Sequence, residues 1–221
     1  MDCTGSRLRN GRRGRRARLS ARLAVVVGAI SLALGAPAAM ADTPCQDRAT
    51  TAAFSFLGDA NQYFAAPNGS FDTGAEWTHY SGSAFANGIG SPLNLARGVY
   101  TRSDYIPAGA TTLSTWTCVR GNEDTVRLLV KPAGATGNLN LRIYVSDPNA
   151  YAGWTVKDVP ISPTSAGTPY GSTGWYVTPR ITIPWSPYSD NTQWISFNFS
   201  NTGSSGGWYV DDVMIDPWRT N

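Results

Sequence analysis

One histidine, a serine-bearing glycine turn and the 14 acidic side chains that follow residue 41 are the residues of this 221-residue sequence that could do catalytic work. His79 stands in Trp77-Thr78-His79-Tyr80, and Gly203-Ser204-Ser205-Gly206-Gly207 matches the nucleophile pattern GxSxG. That pattern activates a serine only where a strand leads in, a helix leads out and a histidine follows later in the chain. Here a strand pattern follows the motif and His79 precedes it, so the match is read as turn composition and His79 as a surface or edge-strand residue. Glycoside hydrolysis needs two carboxylates; Glu76, Glu123, Asp211 and Asp212 are available, but no spacing selects a pair. No glycine-rich phosphate loop is present.

Binding chemistry is better represented. The chain has 8 Trp and 10 Tyr. Tyr151, Trp154, Tyr170, Trp175, Trp185 and Tyr188 lie in or beside loops rich in Gly, Pro and Ser, which makes them candidate ligand-binding residues. Such rings stack on the apolar faces of sugars and keep a polar tip free for hydrogen bonds. Sandwich cores and edges use the same residue types, and Trp116 and Trp208, inside strand patterns, are expected in the core.

The elements that must position these residues begin after an export signal. The first 22 residues carry 8 arginines against one aspartate; an apolar run follows from Leu23 to Leu34, then the small residues Ala38-Ala39-Met40-Ala41. This basic, apolar, small order is that of a secretory signal peptide, with cleavage expected after Ala41. The apolar run is shorter than the roughly 20 residues a membrane span needs. Arg15-Arg16 resembles a twin-arginine signal, but Arg18 departs from it, and general secretion is favoured. Residues 42–221 keep 10 basic and 14 acidic side chains, a net of −4, so the basic balance of the whole chain belongs to the signal. A nucleic-acid surface is therefore not expected, nor a membrane partner after cleavage. Cys45 and Cys118 remain as an even pair in an oxidising compartment and are expected to be joined. Two thiols and one histidine are too few for a zinc site.

Residues 42–221 suit one domain. Short runs of β-branched and aromatic residues alternate with polar ones between Gly, Pro, Asn, Asp and Ser. Strands are expected at 52–56, 77–80, 98–101, 112–119, 125–130, 139–145, 154–159, 175–183, 194–200 and 208–215. Leu139-Asn140-Leu141-Arg142-Ile143-Tyr144-Val145 alternates as a strand with one solvated face does. The fold class is all-β, an antiparallel β-sandwich preceded by the cleaved signal.

Two segments together resemble the ends of jelly-roll modules of the galactose-binding-like superfold, which includes many carbohydrate-binding modules. These are Asn68-Gly69-Ser70-Phe71-Asp72-Thr73-Gly74-Ala75-Glu76-Trp77 and Trp208-Tyr209-Val210-Asp211-Asp212-Val213-Met214-Ile215-Asp216. The 42–221 segment also resembles a group of secreted actinobacterial proteins through Cys45, Gly69–Asp72, Cys118-Val119 and Trp208–Pro217. The first resemblance implies that the two ends meet and that carboxylates from both hold a structural calcium. Asp72, where the family usually has Glu, and Asp211 or Asp212 are the implied metal ligands; calcium takes hard oxygen donors of this kind. The resemblance further implies a secreted, extracellular, monomeric binding domain, its partner an extracellular polysaccharide or cell-wall glycan held on an aromatic platform. An adhesive or structural exoprotein of the cell envelope is the alternative, and a hydrolase with an unrecognised site comes third.

Overall fold

A computed structural model of the chain describes residue 45 and residues 48–93, 102–146, 153–186 and 192–216. Among these there is no α-helix, and no helix long and apolar enough to cross a membrane. In chain order the strands are β1 (Phe64–Ala65), β2 (Trp77–Tyr80), β3 (Ala84–Asn87), β4 (Arg102–Pro107), β5 (Thr111–Ser114), β6 (Thr117–Arg120) and β7 (Thr125–Ala133). There follow β8 (Leu139–Ser146), β9 (Trp154–Ile161), β10 (Thr168–Pro169), β11 (Tyr176–Val177), β12 (Ile181–Thr182), β13 (Thr192–Asn201) and β14 (Gly207–Asp216).

They make two antiparallel sheets. One runs β10–β11–β7–β14–β4–β3, with β12 also paired to β7 and β1 to β14; the other runs β2–β5–β13–β8–β9, with β6 also paired to β13. The chain changes sheet after β1, β2, β4, β6, β7, β9, β12 and β13, which is jelly-roll connectivity. β8 shows why the sheets pack face to face: Leu139, Leu141, Ile143 and Val145 are fully buried and the residue after each of them is not. With Val126, Leu128, Val130, Phe197, Phe199 and Trp208 they form the core between the sheets.

Three expected strands take another form. Residues 52–56 hold a 3-10 turn, Ser55–Leu57, instead of a strand. This segment lies against the outer face of the larger sheet through Ala53, Phe54 and Tyr63, packed with Leu129, Trp175 and Met214. It is anchored by side chains, and beside its own turn bonds a bridge between Thr51 and Tyr63 ties its start. Residues 112–119 divide into β5 and β6. Leu113 faces Asn198 and Thr117 faces Ile195, so this side carries one residue more than β13 opposite. The extra residue breaks the ladder, and Thr115 bonds the Glu76 carbonyl instead. Residues 175–183 divide into β11 and β12, while the strand expected at 98–101 lies outside the described residues. The hairpin β3–β4 was not expected; its β3 sequence, Ala-Phe-Ala-Asn, carries little β signal.

Candidate functional site

The strand register gathers exposed aromatics on the outer face of the smaller sheet. In β8, β9 and β13 the side chains opposite the buried set point outward. Trp154 pairs with Ser146 and Val156 with Tyr144. Trp194 pairs with Cys118, and its N–H donates to Ser146 Oγ at 3.3 Å. Trp194 is 46% exposed, Trp154 45% and Trp116 44%. The Tyr144 and Trp154 rings meet edge to face with centroids 6.1 Å apart. Trp194 and Trp154 stand two strands apart, about 10 Å at ordinary strand spacing. Trp116 stands just before β6, two residues ahead of Cys118.

Polar groups border this row. Arg142 on β8 grips Asp158 on β9 through Nε–Oδ1 at 2.7 Å and an Nη2–Oδ2 contact of 2.8 Å, and Asn140 donates to the same carboxylate at 3.3 Å. The Arg142 hydrogen bond holds the Asp158 carboxyl below its usual range. An exposed pair of this kind contributes about 1 kcal/mol or less to stability. Its geometric effect is larger: it fixes a planar guanidinium and a carboxylate beside the rings, with Asn198 opposite Arg142.

The aromatics chosen from loop composition scatter. Of the four that are described, Trp154 alone is exposed on this face. Tyr170 is half-buried against Phe56, centroids 4.8 Å apart, on the side of the larger sheet. Trp175 is 3% exposed and packed under residues 53–63, so its faces are already covered, contrary to the expected platform role. Trp185 is half-buried against the main core. Tyr151 and Tyr188 lie outside the described residues. Trp208 is fully buried as expected, whereas Trp116, expected in the core, is exposed at the break between β5 and β6. Trp194 and Tyr144 were missed, although strict alternation through Trp194-Ile195-Ser196-Phe197-Asn198-Phe199 marks 194, 196 and 198 as one face.

The two motif ends meet. Val213 N–H donates to the Gly69 carbonyl at 2.9 Å and Ala66 N–H to the Val213 carbonyl at 2.8 Å. A Cβ on Gly69 would stand 2.5 Å from the Val213 oxygen, which is why glycine occupies this place. Phe71 and Trp77 of the first motif are core residues, and the Trp77 indole N–H donates to the Pro67 and Asn68 carbonyls. β14 is irregular between Asp211 and Met214, and Asp212 takes φ 46°, so two successive acids leave the regular alternation. Both are buried. Asp211 Oδ2 accepts from Ser91 N–H at 2.6 Å, Asp212 Oδ2 accepts from the Ser91 hydroxyl, and Asp211 Oδ1 accepts from Asp212 N–H at 2.8 Å. Burial, then the charge of Asp212 and that of Asp72, push the Asp211 carboxyl well above its usual range. Asp72 Oδ1 is buried without a hydrogen-bond partner. Among the described residues no three acidic, histidine or cysteine side chains converge as a complete metal set. The carboxylates of Asp211 and Asp212, with Asp72 close enough for its charge to act on Asp211, are oxygen donors of the kind calcium takes.

The serine turn and the histidine lie apart. Thr136 Oγ1 accepts from the backbone N–H groups of Ser204 and Ser205 at 3.3 and 3.2 Å. A side chain on Gly206 would fall on the Gly134 backbone, so the glycines of this motif serve close backbone approach. His79 Nε2 lies 2.9 Å from Asp104 Oδ1 between β2 and β4, with its ring edge-on to Phe85. Glu76 accepts from the Thr115 hydroxyl at 2.7 Å, and Glu123 accepts from Arg48 and from Arg120 N–H, each at 2.8 Å.

No family model matches the chain, and no curated protein does. Among solved structures it is similar to the module TmCBM61 in complex with β-1,4-galactotriose, at 14% identity over 68% of this chain and 96% of that one, TM-score 0.41. It is also similar to the non-crystalline cellulose specific module CBM28, at 16% identity over 69% and 94%, TM-score 0.43. The K1 cleaved adhesin domain of Lys-gingipain from Porphyromonas gingivalis W83 matches at 12% identity over 70% and 97%, TM-score 0.41.

Proposed function

We propose that this protein is a secreted, non-catalytic domain that binds an extracellular polysaccharide across the outer face of its smaller sheet. The supporting observation is the exposure of Trp154 and Trp194 on one strand-built face, with Tyr144 between them and fixed polar groups beside them. Such rings supply stacking area with little side-chain entropy to lose, and Arg142, Asp158 and Asn198 supply hydrogen bonds at their border. Replacing Trp154 and Trp194 together by Ala is expected to lower retention on insoluble polysaccharide at least about tenfold, since each lost stack contributes on the order of 1 kcal/mol. Retention is read in a pull-down with a panel of polysaccharides, and the melting temperature confirms the fold. Unchanged retention in the double variant would refute the platform.

An envelope adhesin that contacts protein is the second reading. Val156 and Tyr80, both 49% exposed on the same face, widen its apolar area and favour it. Absence of retention on every sugar of a glycan array would move the assignment there. Export is checked on protein recovered from the medium: an N-terminus at Asp42 supports cleavage after Ala41, and one at Met1 removes it.

The acid pair would hold a structural calcium, with Asp211 and Asp212 as the charged donors and Asp72 completing the charge. Calcium there would neutralise buried carboxylates that otherwise repel one another. It would tie the loop of the first motif to the last strand. Chelation is then expected to lower the melting temperature by several degrees, consistent with roughly 1–3 kcal/mol of binding linkage in a domain of this size. Calorimetry with chelator and with added calcium reads it, and identical traces would remove the metal.

A further inference from the structure

On one side of the sandwich both sheets end, the smaller at β9 and the larger at β12. An open cleft of about 310 Å³ lies between these edges. Its floor is apolar: Val159, Ile161 and Ile181 belong to the rim of the core. Two cations line it, Lys157 from β9 and Arg180 from the turn before β12, and Ser165 adds a hydroxyl; none of its described lining residues is acidic. Lys157 pairs with Ile143 in register, so it lies on the inward side of β9, opposite to Trp154, Val156 and Asp158. Its ammonium donates to the Thr182 carbonyl at 2.7 Å and so bridges the two edges. An inward lysine on an edge strand also deters edge-to-edge pairing. That role needs neither a second cation nor a cavity.

Arg180 Nη2 binds Asp59 Oδ1 at 2.8 Å, but Asp59 is shared with Arg127 at 3.0 Å, so one carboxylate serves two guanidiniums. The Arg180 side chain remains 47% exposed. Two cations over an apolar floor, within a segment of net charge −4, form a local reversal of sign. The volume is at the lower end of small-ligand sites, which run from about 300 Å³ upward.

We propose that this cleft binds a ring-sized organic carboxylate, the anion held by Lys157 and Arg180 and the apolar face of the ring laid on Val159, Ile161 and Ile181. The carboxylate is either a free small acid or a uronate residue of an acidic polysaccharide. The site lies on the opposite side of β9 from the aromatic face and does not depend on it.

The test titrates the full-length protein with glucuronate, its methyl ester, glucose and inorganic phosphate by calorimetry, and with an oligomer of uronates. Saturable binding of glucuronate, with ester and glucose at least about tenfold weaker, is expected from loss of charge-assisted hydrogen bonds. Lys157→Gln is expected to weaken glucuronate about tenfold by the same reasoning while leaving the melting temperature in place. Arg180→Gln should act alike; because it also frees Asp59, the lysine variant is the deciding one. Tighter binding of the oligomer than of the monomer supports the polysaccharide source, and equal affinity supports the free acid. Trp154→Ala with Trp194→Ala should leave the glucuronate response unchanged. No saturable binding, equal binding of the ester, phosphate binding as well as glucuronate, or a Lys157→Gln protein that binds glucuronate normally would each overturn the proposal.

Discussion

Replacing Cys45 and Cys118 together by Ala is expected to lower the unfolding free energy by about 4 kcal/mol, the loop-closure value for a bridge of this span. In a domain of about 180 residues that corresponds to a fall of roughly 10 °C in melting temperature. The two cysteines are 73 positions apart and bonded, with Cα atoms separated by 5.5 Å. The bridge joins β6 of the smaller sheet to the segment that goes on to cover the larger one. Around it Arg120 donates to the Cys45 carbonyl, Arg48 binds Glu123, and the Arg48 guanidinium lies 3.8 Å from the Phe64 ring centroid. These contacts tie the same corner but do not shorten the unfolded chain, so they cannot replace the covalent term. Urea unfolding of the double variant beside the parent, with the same slope in both, gives the difference; a loss below about 1 kcal/mol would contradict the loop-closure account.

Asp59→Asn is expected to cost about 2–3 kcal/mol at neutral pH, the scale of removing one partner from a largely buried charge network. Asp59 receives the Tyr63 hydroxyl at 2.7 Å, Arg180 at 2.8 Å, Arg127 at 3.0 Å and Asn61 N–H at 3.2 Å. Burial alone would push its carboxyl up; the hydrogen bonds from Tyr63, Arg180 and Asn61 outweigh burial and hold it below the usual range. The same network drives the Tyr63 hydroxyl upward, burial first and then the bond to Asp59. Because the folded carboxyl is depressed, its contribution is full above the unfolded value of about 4 and is lost as pH falls through the folded value. The gap between parent and variant is thus expected to be constant from pH 8 to about 5 and to close below about pH 4. A gap that stays the same in acid would assign the effect to packing and not to charge. The network holds the 59–63 turn to β7, and Asn61 extends it to Asp216 at 2.7 Å.

The all-β class was legible because its signal is local. Alternation along Leu139–Val145 states which residues turn inward, and the structure buries those four. Turn composition located most of the breaks, and Cys45 and Cys118 are the only two cysteines of residues 42–221, Cys3 lying in the expected signal. Covered loops and short strands were not legible. Residues 52–56 have strand-like composition yet lie on a sheet face, where aromatic anchors replace the ladder. β3 has almost no strand signal and exists because β4 offers it partners.

The candidate site divides along the same line. Amino-acid types and order alone determined an exported, disulfide-bearing, two-sheet architecture as the expectation. The resemblance to jelly-roll modules added the expectation that the first motif and last strand meet, and the backbone bond between Gly69 and Val213 joins those segments. Exposure, by contrast, was decided by tertiary structure. Trp175 and Trp194 look alike in sequence, but residues 53–63 fold over one and nothing described covers the other. Loop composition therefore grouped Trp154 with Trp175, which is covered, and passed over Trp194. Which face a ring occupies follows from strand register, and whether that face stays open depends on a segment more than a hundred residues away; neither is a property of the residues beside the ring.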